Sequence, residues 1–186
     1  MSQRIFLAIN LPEEIKEKLV FYQKYFPLAK ERWTKKENLH LTLFFLGNCQ
    51  KEEVEKLKNI VLKVASLFNP FKVKLQEIIL APSQGKPRMI WATVEKNDKL
   101  LSLYQELKNL LSKEKSFFWR LEKREYFPHI TLARFKKEKV LRAKKLELNL
   151  EFEAKSIDIM ESQLSKKGAN YFCLFRGILK KTLEIK

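Results

Sequence analysis

The apolar positions of this chain switch repeatedly between two spacings, and the switches mark its elements. Residues 4–10 (Arg-Ile-Phe-Leu-Ala-Ile-Asn) form a short apolar run that predicts a first strand. After Pro12, with Glu13 and Glu14 suited to the positive end of a helix, Ile15, Leu19, Tyr22 and Phe26 recur at helical spacing until Pro27 closes the segment. Residues 39–46 predict a second strand, ended by Gly47-Asn48, and residues 51–67 an amphipathic helix with Val54, Leu57, Val61 and Val64 on one side. A strand over 71–80 leads into Pro82-Ser83-Gln84-Gly85-Lys86-Pro87, the clearest loop in the chain.

Beyond that loop the order restarts. Arg88-Met89-Ile90-Trp91-Ala92 echoes Arg4-Ile5-Phe6-Leu7-Ala8. A helix over 98–112 follows, burying Leu100, Leu103, Leu107 and Leu110, and then a strand over 128–135. Residues 136–145 are a basic run that reads as a solvated face. Two long strands, 151–162 and 171–179, close the chain around a turn at Lys167-Gly168. Strand-helix-strand repeated, with closing strands, predicts one α+β domain over 1–186 built from two similar lobes. The approximate repeat halves are 1–81 and 88–186, with exchange of strands between them allowed.

Composition narrows the setting. Lys+Arg 38 against Asp+Glu 22 leaves a net charge of +16, which favours polyanionic partners through steering and phosphate contacts, although most of the lysines are expected simply to solvate the surface. The abundance of Lys and Glu also resembles a thermophile's composition. No stretch approaches the ~20 apolar residues of a membrane span. The first residues read as a strand rather than a leader, so a cytoplasmic protein without an obligate protein partner is expected. Cys49 and Cys173 stand far apart in no ligand pattern and are expected to be free thiols.

Candidate chemistry lies in two matched phrases, His40-Leu41-Thr42-Leu43 and His129-Ile130-Thr131-Leu132, which contain both histidines of the chain. In a strand, residues i and i+2 share a face, so each phrase sets an imidazole beside a hydroxyl while the aliphatic residues face a core. If the two strands meet, one neutral imidazole can take a proton from an attacking water. The other, protonated, can donate to a leaving oxygen, as in-line displacement at phosphorus requires. Thr42 and Thr131 would hold the non-bridging oxygens, and Arg134 would add a cationic clamp. This arrangement calls for neither metal nor cofactor. A zinc site is the competing reading of paired histidines, but zinc favours three or four protein ligands and neither Cys is near a motif. A Ser or Cys nucleophile has no supporting elbow or acidic orienter here.

Trp33, Tyr126 and Phe45 are candidates for stacking a nucleobase. With 14 Phe in the chain, most aromatics must be core, and that is the competing reading for Phe45 and Phe127. Arg88 and Trp91, after the loop, serve either the strand end or a ligand.

These features together resemble the 2H phosphoesterase superfamily, and most closely the RNA 2′,3′-cyclic phosphodiesterases, also called 2′-5′ RNA ligases, of the LigT/ThpR type. The resemblance covers the opening strand, Arg32-Trp33, the run Glu37 to Gly47, Pro87 to Trp91, Phe127 to Arg134, and the late Ser162, Gly168 and Tyr171. Ala169 stands after Gly168 where the family often has proline. The resemblance implies two lobes with pseudo-two-fold symmetry, each a largely antiparallel sheet with helices outside, and the active site in the central cleft. It implies hydrolysis of an RNA 2′,3′-cyclic phosphate to a 2′-phosphomonoester, with His40 as proton donor and His129 as proton acceptor. RNA ends or small cyclic nucleotides are then the partners. The alternatives are 2′-5′ ligation as the physiological activity, and a basic module that grips RNA ends without turnover.

Overall fold

The computed structural model describes residues 2–25, 32–82, 87–121, 124–135, 145–165 and 168–180, without the side chains of Arg32 and Trp119. Phe26 and Pro27, most of the 82–87 loop, Lys167 and nearly all of the basic run lie outside these residues. Among the described residues there are nine strands and three helices. In chain order they are β1 (Gln3–Asn10), α1 (Glu13–Gln23), β2 (Arg32–Trp33), β3 (His40–Cys49), α2 (Lys51–Ala65), β4 (Phe71–Ala81), β5 (Met89–Val94), α3 (Asp98–Lys113), β6 (His129–Arg134), β7 (Leu146–Ala154), β8 (Ser156–Ser165) and β9 (Gly168–Ile178).

The helices form where capping and periodicity agree. Pro12 is the residue before α1, just outside its first turn. The side chain of Glu53 accepts from the backbone amide of Gln50 at 2.7 Å and closes the start of α2. Asn97 caps α3 by accepting from the Leu100 amide at 2.9 Å. In α3 the buried stripe is Leu100, Leu103, Tyr104, Leu107 and Leu111, so Leu110, expected inside, is only partly buried beside it. No described helix is long and apolar enough to cross a membrane.

The strands make one antiparallel sheet in the order β7-β4-β5-β6-β3-β1-β8-β9, with β2 alongside β6. The closing segment differs from expectation. Instead of one strand over 151–162 there are two, β7 and β8, separated only by Lys155. Alternation of Leu146, Leu148, Leu150, Phe152 and Ala154 defines β7, whose buried face these residues form. β7 sits at one end of the sheet and β8 next to the last place at the other. A one-residue link between such distant positions requires the sheet to curl until its ends approach.

The 82–87 loop does not divide the sheet. β4, before it, pairs with β5 and β7, whereas β8, after it, pairs with β1. Leaving β2 aside, four strands therefore lie on each side of the β6/β3 seam, and each group draws on both sequence halves. The three helices and one face of the sheet share a single hydrophobic cluster that runs from Ile5 to Leu179. Gly177 lets β9 reach α2, since a Cβ there would stand 2.6 Å from the Val61 side chain. The opposite face carries a small separate cluster, Phe6, Ala8 and Met160 with Tyr171 against it.

Candidate active site

The seam between β3 and β6 is the centre of the site. Leu41 pairs with Ile130 in antiparallel register, and both are fully buried on the core side. Carried one residue each way, that register sets His40 beside Thr131 and Thr42 beside His129, all on the opposite face. Two phrases 89 positions apart in sequence thus form one polar cluster related by the local two-fold of an antiparallel pair.

Both imidazoles are held in the same way. His40 Nδ1 lies 2.7 Å from the carbonyl of Asn38, and His129 Nδ1 lies 2.7 Å from the carbonyl of Phe127. A carbonyl only accepts, so each Nδ1 carries a proton and each Nε2 is the nitrogen left for chemistry. The Thr42 hydroxyl is 3.0 Å from His40 Nε2 and donates to it when the ring is neutral.

Around these similar cores the surroundings differ. The His40 ring is tilted against Phe6 at 4.9 Å and meets the edge of Tyr171 at 5.2 Å. Burial pushes its pKa down to about 4; the Asn38 carbonyl opposes this, and the charges of Arg134, Lys16 and His129 add to it. His129 instead lies flat against Trp91, with ring centroids 3.8 Å apart, and Phe127 stands 6.3 Å away. Trp91 Nε1 is buried with no hydrogen-bond partner among the described residues.

A groove of about 900 Å³ adjoins the motifs through Phe6 and Tyr171, which line it and touch His40. Arg134, Trp33 and Phe45 line it, as do Ser162, Gly168 and Tyr171 of the late segment. Phe45 is 48% exposed and offers its ring to the groove rather than to the core. Arg134 contacts the Met89 sulfur at 3.2 Å and is close enough to influence His40 electrostatically. Arg4, Lys35 and Arg134 are the cations of the lining, and it contains no carboxylate among the described residues.

Tyr126 is placed differently from the stacking role anticipated for it. Its ring is stacked on Tyr104 at 4.0 Å, Tyr104 is stacked on Phe44 at 4.4 Å, and its hydroxyl donates to the Thr42 carbonyl at 3.0 Å. Burial raises its pKa well above the usual phenol range. Tyr126 thus supports β3 from behind Thr42. Arg88 works through its backbone at a strand end, its amide donating to the Ala81 carbonyl and its carbonyl accepting from Phe135.

Sequence reasoning passed over several residues. Asn38, 7% exposed, donates to the Ala169 carbonyl at 2.7 Å while its own carbonyl holds His40, so one residue ties the β8–β9 hairpin to the imidazole. Asn10 pairs with His40 across β1 and β3 and donates to Asp158 at 2.6 Å. Fully buried Asp158 is bound by Arg176 through both Nε and Nη2. That pairing neutralises a carboxylate that would otherwise repel a phosphate nearby. An isolated Asn, Asp or Arg carries no signal in sequence; only strand pairing brings these three together. Cys49 is buried, Cys173 is exposed, and both are free thiols. The described residues contain no cluster of three or more His, Cys, Asp or Glu suited to a metal.

Comparison with known proteins finds relatives over most of the chain. The family described as LigT like Phosphoesterase matches residues 9–91, a span that includes the first motif and ends at Trp91. An RNA 2′,3′-cyclic phosphodiesterase of Methanocaldococcus jannaschii is 34% identical over 176 residues, covering 90% of this chain and 96% of the relative. One of Thermus thermophilus is 32% identical over 176 residues, covering 92% and 87%. Among solved structures, a Thermus thermophilus protein superposes with a TM-score of 0.86 at 30% identity over 96% of this chain and 98% of its own. Escherichia coli LigT complexed with 3′-AMP gives 0.81 at 25% identity over 97% and 100%.

Proposed function

Because the chain belongs to the LigT-like phosphoesterase family, we propose that it hydrolyses the 2′,3′-cyclic phosphate at an RNA end to a 2′-phosphomonoester, with its two histidines as general acid and base. The observation that carries this reading is the Leu41–Ile130 register, which sets His40 and His129 on one face with both Nδ1 atoms occupied by carbonyls. Two Nε2 atoms on either side of a bound phosphorus are suited to opposite halves of one proton transfer. The relatives' names, RNA 2′,3′-cyclic phosphodiesterase, point to the same chemistry.

In this mechanism the cyclic phosphate sits between the motifs. His129 Nε2 takes a proton from water as its oxygen attacks phosphorus. The P–O3′ bond breaks, and His40 Nε2–H protonates the departing 3′ oxygen. Water adds across one P–O bond, and the product is a 2′-phosphate with a free 3′-hydroxyl. Thr42 and Thr131 donate to the non-bridging oxygens, and Arg134 balances their growing charge. For Thr42 this means turning its hydroxyl from His40 Nε2 to the phosphate. His40 is neutral near pH 7 before substrate arrives, because its pKa is pushed down to about 4. The anionic phosphate raises that value and so charges the acid where it is needed. Phe45 and Trp33 give the terminal base a surface to stack on.

One experiment tests the reading: incubation with an oligonucleotide ending in a 2′,3′-cyclic phosphate, in EDTA, with identification of the product isomer. A 2′-phosphate is expected, with turnover lost in His40→Ala and in His129→Ala. Binding without turnover would leave a module that grips RNA ends. A 2′-5′ linked product formed with a 5′-hydroxyl RNA would identify a ligase. A rate abolished by EDTA would overturn the metal-independent chemistry.

A further inference from the structure

The groove carries positive charge on β1 as well as on β6, with Arg4 in its lining beside Arg134. Along β1, Arg4, Phe6, Ala8 and Asn10 share one face by strand alternation. Asn10 is level with His40, and the Phe6 ring touches it. Arg4 lies one same-face repeat beyond Phe6, about 7 Å further along the strand. Its guanidinium has no side-chain partner among the described residues, and neither does the ammonium of Lys35 in the same groove lining. In the same lining Gly47 adopts φ +67°, and apart from its chain neighbours nothing stands within 4 Å of where a Cβ would be, so the groove wall there is open.

We infer that Arg4 forms a second phosphate subsite, which takes the phosphodiester immediately 5′ of the terminal cyclic nucleotide. The inference rests on the reading of the site as a cyclic phosphodiesterase. The RNA then leaves the seam along β1, its terminal base over Phe45 and its penultimate phosphate against Arg4. The charge pattern matches such a chain. Arg134 lies on the β6 strand at the reaction centre and Arg4 lies beyond Phe6, and no carboxylate intervenes in the lining among the described residues. A cyclic mononucleotide would leave Arg4 unused, so the enzyme would favour an RNA end over a free cyclic nucleotide.

The test compares adenosine 2′,3′-cyclic phosphate with the dinucleotide ApA ending in a 2′,3′-cyclic phosphate, in wild type, Arg4→Gln and Arg4→Lys. Wild type is expected to prefer the dinucleotide by roughly tenfold in kcat/KM. That preference should fall close to unity in Arg4→Gln and be partly kept in Arg4→Lys. The log–log salt dependence for the dinucleotide should be steeper by about 0.7 in wild type, the value for one added phosphate contact on a single strand. A ratio of kcat/KM values unaffected by Arg4→Gln would overturn the subsite. If wild type turns over neither substrate, the hydrolase reading fails instead. Calorimetric binding of 2′-AMP and of ApA 2′-phosphate then decides the subsite by the same ratio.

Discussion

The indole of Trp91 lies flat against the imidazole of His129, 3.8 Å between centroids with planes inclined by 22°. Its strand neighbour supplies this stack, since Trp91 pairs with Thr131 across β5 and β6. With Nδ1 fixed on the Phe127 carbonyl, the stack leaves the ring little freedom to turn. In the proposed mechanism His129 would gain a positive charge on accepting a proton, and an indole face favours such a charge by ~0.5–2 kcal/mol. Trp91→Leu is therefore expected to lower kcat about tenfold, whereas Trp91→Phe, which keeps a ring face, retains most of it. Steady-state kinetics of the two variants check this; equal losses would mean that the ring contributes only bulk.

His40 makes stability depend on pH. Its folded pKa of about 4 lies below the usual 6.5, so between these values the unfolded chain holds a proton that the folded chain does not. Stability contributed by the neutral ring is fully present above pH 6.5 and is lost as pH falls toward 4. Allowing for partial solvent access, the loss is about 2 kcal/mol, or a fall in Tm of several degrees. Thermal melts across this window should show a steeper fall in wild type than in His40→Gln.

The same shift predicts proton uptake on ligand binding. If the proposed 2′-phosphate product binds beside His40 it favours the imidazolium, so binding near pH 6 should draw a proton from solution. Calorimetry with 2′-AMP in buffers of different ionisation enthalpy would report it. Binding enthalpies that do not vary with the buffer would remove His40 from contact with the phosphate.

Asn38 joins the β8–β9 hairpin to the His40 ring, so the proposed mechanism predicts effects on both stability and rate. Asn38→Ala deletes the bond to the Ala169 carbonyl and leaves that group unpaired, at a cost of about 2 kcal/mol. Because the Asn38 carbonyl orients His40 and the hairpin supplies Tyr171 to the same ring, kcat/KM should fall as well. Urea denaturation and kinetics together check this. Normal kcat/KM in a destabilised variant would confine Asn38 to folding.

Tyr126 and Phe45 separate support from contact. Tyr126→Leu breaks a three-ring stack and the bond to Thr42, and should cost several kcal/mol of stability, in the range of ~3–5 for large buried aromatics. Phe45→Ala removes an exposed groove ring. It should leave stability nearly unchanged while raising KM roughly tenfold, as loss of one base stack predicts. Melting curves and KM values for both variants would expose any reversal of these roles.

The chain's local order was largely legible. The spacing of Ile15 and Leu19, of Val54 to Val64 and of Leu100 to Leu107 reports helices that bury one face, and a 3.6-residue period needs no partner to be read. The His-x-Thr phrases were legible for the same reason, since i and i+2 share a strand face whatever the neighbours are. The single expected strand over 151–162 failed where two strands abut at Lys155 with neither Gly nor Pro to mark the break.

The sequence by itself determined that two imidazole–hydroxyl pairs would lie on strand faces opposite a core. It also determined that the surface would favour polyanions. Strand pairing decided the rest, because cross-strand neighbours are set by register and sheet order, which no local spacing encodes. The Leu41–Ile130 register brought the two pairs together on one face of the sheet. The placement of β5 laid Trp91 on His129, and the placement of β1 and the β8–β9 hairpin enclosed His40 with Phe6, Tyr171 and Asn38. In sequence the two motifs are equivalent; the structure surrounds them differently, with Phe6 and Tyr171 against His40 and the Trp91 face on His129.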